Sequence, residues 1–162
     1  MADHDHWQKF FLVETAEGAQ TLSFSRTPTV LLTFAANLFT RQSAAALTKQ
    51  FDIGAMDWRM LVMLTRHPGA SVALSAETIG IDKAAVSRSL SRLLDKKLVT
   101  CIAQDRDPRR KQWKLTKKGR DLHDDILVVV LSRLRKQLDG FTEADILDLS
   151  RLLEKLHKNL QA

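Results

Sequence analysis

Ser71-Val72-Ala73-Leu74-Ser75-Ala76-Glu77-Thr78-Ile79-Gly80-Ile81-Asp82-Lys83-Ala84-Ala85-Val86-Ser87-Arg88-Ser89-Leu90-Ser91-Arg92-Leu93-Leu94 is the stretch that decides the fold. Ser71 is a helix-capping residue, and Val72, Ala76 and Ile79 make one apolar face of a short helix. Gly80 can end that helix in a left-handed conformation. Asp82 caps the next helix, whose inward face is predicted from Val86, Leu90, Leu93 and Leu94 at i, i+4, i+7 and i+8. Two helices joined through Gly80-Ile81-Asp82 make a helix-turn-helix. The period then changes. Leu98-Val99-Thr100-Cys101-Ile102-Ala103 reads as a strand, and Gln112-Trp113-Lys114-Leu115 reads as another, with Trp113 and Leu115 on one face. Gln104 to Lys111 is the charged loop between them. A hairpin directly after a helix-turn-helix is a wing.

Working upstream, Thr27-Pro28 starts a helix with Thr27 as N-cap and Pro28 where a missing N–H costs nothing. Leu31, Ala35, Leu38, Ala45 and Leu47 carry it to about Gln50, and Asp52-Ile53-Gly54 ends it. A second helix holds Trp58, Leu61, Val62 and Leu64 and stops at His67-Pro68-Gly69. Downstream, Thr116 caps a long helix through Ile126, Leu127, Val130, Leu131, Leu134 and Leu138, closed by Gly140. Thr142-Glu143-Ala144-Asp145 opens the last helix with a capping-box pattern, Asp standing in for Glu. Residues 1–26 show no sustained period and read as an arm with a short helix around Trp7–Val13.

Composition agrees. A chain of 162 residues is the size of one domain, and 44% hydrophobic with 27% charged residues is neither disordered nor fibrous. No apolar run approaches the roughly 18 residues of a membrane span. MADHDHWQKFF places acids and histidines where an export signal has a basic and then a long apolar region. One cysteine, Cys101, fits a reducing compartment, and six Gly, three Pro and no Tyr argue against an all-β fold. The expectation is a cytoplasmic, mainly helical protein that makes no use of a membrane.

The net charge of +6 is concentrated in one place. Residues 83–120 hold 13 Lys/Arg against three Asp, a net +10, whereas residues 1–82 and 121–162 each hold 6 Lys/Arg against 8 Asp/Glu, a net −2. An excess confined to 38 residues describes a docking face for a polyanion, nucleic acid first.

Several strings now resemble the MarR family of winged-helix transcription regulators. Gly80 to Arg88 is similar to the entry of its recognition helix. Leu93-Leu94-Asp95-Lys96-Lys97-Leu98-Val99 is similar to its "R-L-x-x-K-G-L-V" exit, with Lys97 at the usual glycine. Asp107-Pro108-Arg109 is similar to the wing "D-x-R", Leu115-Thr116-Lys117-Lys118-Gly119 to "L-T-x-x-G", and Asp57 to Leu61 to the second helix. Leu74-Ser75 departs from the usual acid followed by leucine. The resemblance covers about residues 28–160 and implies a mainly α fold with a small β-hairpin wing. It further implies a helical dimerisation region over 27–53 and 116–162 and a winged helix-turn-helix DNA-binding region over 54–115; the arm, residues 1–26, lies outside it.

Candidate DNA-binding residues follow. Lys83, Ala84, Ser87, Arg88, Ser91 and Arg92 lie opposite the apolar face of the recognition helix; small Ala84 permits close approach, while Ser87 and Arg88 offer hydrogen bonds to bases or phosphates. In the wing, Arg106, Arg109 and Arg110 are cations for a minor groove, and Asp107 orients Arg109 by a salt bridge. Lys114, Lys117, Lys118 and Arg120 are candidate phosphate anchors. The resemblance also implies a homodimer on a palindromic operator, and a repressor released by a small aromatic or phenolic acid or its thioester. Phe34, Leu38, Trp58, Met60, Met63 and His123 are candidates to line the effector cleft, and Arg26 or Arg41 to hold a carboxylate. The alternative is an architectural protein that binds any duplex.

Other signals carry less. Cys101 on an apolar strand reads as a small buried hydrophobe, and the first helical region, where the peroxide-sensing branch keeps its reactive cysteine, has none. His4-Asp5-His6 has no supporting shell for a metal. No catalytic constellation, phosphate loop or CxxC is present, so neither an enzyme nor a cofactor is expected.

Overall fold

The computed structural model describes residues 8–104 and 107–161, and the chain divides into two compact units, Met1–Trp58 and Arg59–Ala162. Its elements are β1 (Leu12–Glu14), β2 (Gln20–Leu22), α1 (Pro28–Phe51), α2 (Ala55–Arg66), α3 (Val72–Ile79), α4 (Lys83–Asp95), β3 (Val99–Gln104), β4 (Asp107–Leu115), α5 (Lys117–Gln137) and α6 (Glu143–Gln161).

In the first unit the arm is more ordered than its sequence suggests. Residues 8–11 are helical, as expected around Trp7–Val13, but Leu12 and Val13 belong instead to β1, which pairs antiparallel with β2, Leu12 opposite Leu22. The turn is closed by Thr15 N–H donating to the Ala19 carbonyl at 2.8 Å and by Gly18 at φ 78°. Strands of three residues are too short to print an alternation. The hairpin is tied to the start of α1 by Arg26, whose guanidinium donates to the Leu12 carbonyl at 2.7 Å and to Ser23 Oγ at 3.4 Å. Phe24 and Phe34 add an edge-to-face contact at 5.3 Å. Thr27 caps α1 through its carbonyl, which accepts from Val30 and Leu31, while its buried Oγ1 has no partner. Asp52 ends α1 at φ 53°.

The second unit is centred on Met60, Leu61 and Leu64 of α2, Val86, Leu90 and Leu93 of α4, Val99 of β3 and Ile126 of α5, all at most 2% exposed. One expected core residue is misplaced. Leu94 is 42% exposed, and Ser89, fully buried, completes the inward face of α4 instead. At 3.6 residues per turn, Leu94 sits about 80° round the helix from Val86, on the rim of the stripe.

β3 and β4 form the wing, in register from Val99 opposite Leu115 to Ala103 opposite Lys111, with an irregularity at Gln104. Strand conformation runs through most of what the sequence suggested was loop, because a hairpin edge accepts charged side chains. The α2–α3 connection pairs with the wing too: Gly69 N–H donates to the Trp113 carbonyl at 2.8 Å, and Trp113 N–H to that of Ala70 at 3.3 Å. α4 ends in a Schellman motif, with Leu98 N–H donating to Leu93 and Lys97 N–H to Leu94. That motif sets Lys97 at φ 59°, the conformation in which glycine is at ease. α6 has no buried residue.

Candidate nucleic-acid interface

The geometry of α4 begins with its caps. Gly80 adopts φ 69° at the end of α3, Ile81 N–H reaches back to the Ala76 carbonyl at 3.0 Å, and Asp82 Oδ1 accepts from Ala85 N–H at 2.8 Å. This turn fixes which side of α4 faces outward. Val86, Ser89, Leu90 and Leu93 are buried on one side, and Lys83, Ala84, Ser87, Arg88, Ser91 and Arg92 are all exposed on the other. The helix thus brings together all six residues chosen from its sequence. Among the described residues, Lys83 and Arg88 have neither an ion pair nor a side-chain hydrogen bond, so both cations are available to an incoming group.

Arg106 lies outside the described residues. Asp107, Arg109 and Arg110 stand at the start of β4 by their backbone, and the proposed Asp107–Arg109 salt bridge falls outside what is described. Lys111 and Lys114 are exposed; Lys114 alternates with buried Trp113 and Leu115, whereas Lys111 shares their parity further along the strand. The remaining anchors are engaged within the protein. Lys117 Nζ lies 2.9 Å from Asp121 Oδ2, Lys118 Nζ donates to the Lys96 carbonyl at 3.1 Å, and Arg120 to the Leu115 carbonyl at 3.0 Å. An exposed pair such as Lys117–Asp121 contributes at most about 1 kcal/mol, so a phosphate can displace the carboxylate.

The suggested effector residues are distributed over both units. Arg26, Phe34, Leu38, Arg41 and Trp58 belong to the first, and Met60, Met63 and His123 to the second. Arg26 already serves the arm, Phe34 and Leu38 are about half exposed, and Met60 and Met63 are core residues. His123 is buried with Nδ1 2.8 Å from Asp124 Oδ1. Cys101 is half-buried rather than buried, opposite Trp113 in the wing. Among the described residues no group of three His, Cys, Asp or Glu could hold a metal ion, and no helix is long and apolar enough to cross a membrane.

Sequence reasoning overlooked a groove at the root of the wing, lined by Arg66, His67, Ser71, Leu74, Lys111 and Gln112 among others. Its two sides are 45 residues apart in the chain, which no local pattern could signal.

The MarR family model matches residues 51–110. A MarR/EmrR family transcriptional regulator from Acinetobacter sp. ADP1 is 30% identical; the match covers 86% of this chain and 99% of that one, at a TM-score of 0.79. The chain belongs to the MarR family. Two other structures share the MarR winged-helix fold at lower identity. The transcriptional regulator SlyA is 21% identical over 83% of this chain and 94% of its own, with a TM-score of 0.75. MepR of S. aureus, solved with DNA, is 22% identical over 85% and 99%, with a TM-score of 0.73. MarR-family proteins are transcriptional regulators, and the fold expected from the helix-turn-helix and wing is the one found.

Proposed function

We propose that this MarR-family regulator binds duplex DNA sequence-specifically as a homodimer, with α4 in the major groove and the wing along the minor groove. The observation that carries this reading is α4 itself: one face is buried in the core, and the other is exposed and bears Lys83, Arg88 and Arg92. MepR and FabT, similar in fold, have been solved with DNA. Residues 54–115 are proposed as the DNA-binding region, with Arg106, Asp107, Arg109, Arg110 and Lys117 adding wing and phosphate contacts, and 27–53 with 116–162 as the dimerisation region.

Dimerisation is supported by what a single chain leaves bare. Leu147, Leu149, Leu152 and Leu153 of α6 and Val128 and Leu131 of α5 are 38–70% exposed, more bare apolar side chain than scattered single surface residues account for. A second copy burying that surface creates two α4 helices related by a two-fold axis, which suits a palindrome. The finer reading is a cytoplasmic repressor released by a small aromatic acid or its thioester, with the eight effector residues named above as candidates.

A second reading rests on the +10 of residues 83–120, which would serve an architectural protein equally well. A genome-wide binding selection with purified protein separates the two. Enrichment of one palindromic site supports the regulator, and uniform recovery of duplexes overturns it. Thermal-shift screening of aromatic acids then tests the effector.

A further inference from the structure

The groove at the root of the wing joins two parts of the second unit that sequence keeps apart. Arg66 and His67 close α2 in a segment whose net charge is negative, and Lys111 belongs to β4. They are held together by the reciprocal backbone hydrogen bonds of Gly69 and Ala70 with Trp113. Gly69 supplies the left-handed φ of 90° that the connection needs, and Gln112 and Lys114 lie beside it, 3.6 Å and 3.8 Å from where a Cβ would sit, an ordinary contact distance. Arg66, His67, Lys111 and Lys114 are all exposed, and among the described residues no carboxylate lines the groove. Its floor carries Ser71, which caps α3 through the Leu74 N–H at 3.1 Å.

We infer that this groove is a binding site for phosphoryl oxygens, and that its occupant is a backbone phosphate of the duplex read by α4. The inference rests on the DNA-binding reading above and adds to it Arg66 and Lys111. The first helix of a helix-turn-helix crosses the nucleic-acid backbone while the second enters the groove. α3 is that first helix, so cations flanking its start meet the strand that α4 does not read. Arg66 and Lys111 add charge without adding base readout, because phosphate contacts fix register and not sequence. The groove would extend the basic face beyond residues 83–120.

The test uses the full chain, wild type and Arg66→Gln/Lys111→Gln, with unchanged circular dichroism and melting temperature as the folding control. Affinity is measured on the selected operator and on a scrambled duplex across a salt series. The expected result is an equal fold-loss on both duplexes and a log–log salt slope shallower by about two units, one per cation removed. Arg66→Lys should keep the wild-type slope. If wild type binds its operator and the double variant matches it in affinity and slope, the inference is overturned. If inorganic phosphate shifts the His67 ring resonances in wild type but not in the double variant, while duplex slopes stay equal, the groove holds a free anion and the duplex assignment is again overturned. A shallower slope in a protein that prefers no sequence would keep the groove and overturn the sequence-specific reading.

Discussion

Gly119 and Leu98 meet main chain against main chain, so closely that a Cβ on Gly119 would overlap the Leu98 carbonyl. That carbonyl is also accepting from Thr116, through its N–H at 3.0 Å and its hydroxyl at 3.2 Å, and the hydroxyl accepts in turn from Gly119 N–H. The first turn of α5 is thereby fastened to the exit of α4, which accounts for Thr116 and Gly119 at this spacing. Gly119→Ala puts a methyl against backbone rather than a flexible side chain. The expected loss is about 3 kcal/mol, read as a lower urea midpoint at unchanged slope. A loss below about 0.5 kcal/mol, the scale of an ordinary surface change, would contradict the contact.

Lys97 occupies a left-handed position that suits glycine. A side chain there costs about 1–2 kcal/mol, and glycine returns part of this through its larger unfolded entropy. Lys97→Gly should therefore stabilise the protein by roughly 0.5–1 kcal/mol in chemical denaturation. Destabilisation would mean that the Lys97 side chain makes a compensating contact.

Arg88 and Lys117 should separate reading from anchoring. Arg88→Ala is expected to cost about 1–3 kcal/mol on the operator and less on a scrambled duplex. Lys117→Ala should weaken both alike and lower the salt slope by about one unit. Equal losses for Arg88→Ala on both duplexes would remove Arg88 from base readout.

Asp145 gives a pH signature. Thr142 donates to its Oδ2 through the hydroxyl at 2.6 Å and the backbone N–H at 2.9 Å, and both bonds hold the carboxyl below its usual 3.8. A folded pKa below the unfolded one contributes stability that is complete above the unfolded value and lost as pH falls through the folded value. Wild type should therefore exceed Asp145→Asn in thermal melts at neutral pH, and the gap should close below pH 3.8. A gap that stays constant into that acid range would show that the ionised carboxylate is not what caps α6.

The apolar face of α6 predicts the oligomer. Leu152 is 53% exposed, so Leu152→Asp should leave the protomer folded while raising the dimer dissociation constant at least tenfold, about 1.4 kcal/mol. Sedimentation equilibrium reads the change directly. A wild-type chain that sediments as a folded monomer at micromolar concentration would refute dimerisation.

The helix-turn-helix was legible because each of its signals is local: Ser71 and Asp82 accept from N–H groups three residues on, and Gly80 takes the left-handed turn. Trp113 and Leu115 share a buried face because strand alternation is local as well. What escaped depends on partners distant in sequence. Arg26 suggested a ligand carboxylate, but its guanidinium serves Leu12, fourteen residues away. Leu94 and Ser89 exchanged places because hydrophobicity ranks residues without locating the edge of the buried arc. The six residues of α4 chosen for its outward side are all exposed because helical period is local, whereas the wing-root groove needs two backbone hydrogen bonds that no pattern encodes.

Those two bonds also make the wing a lever. Its fulcrum is the Gly69–Ala70 segment clasping Trp113, and its long arm is the stretch of β4 back to Asp107. At about 3.3 Å per residue that arm is roughly 20 Å long. A tilt of about 10° at the clasp would carry its far end by about 3.5 Å, close to the ~3.4 Å spacing of successive nucleotides along one DNA strand. A disturbance of that size beginning at the foot of α2 would reach the hairpin magnified to a single step in register.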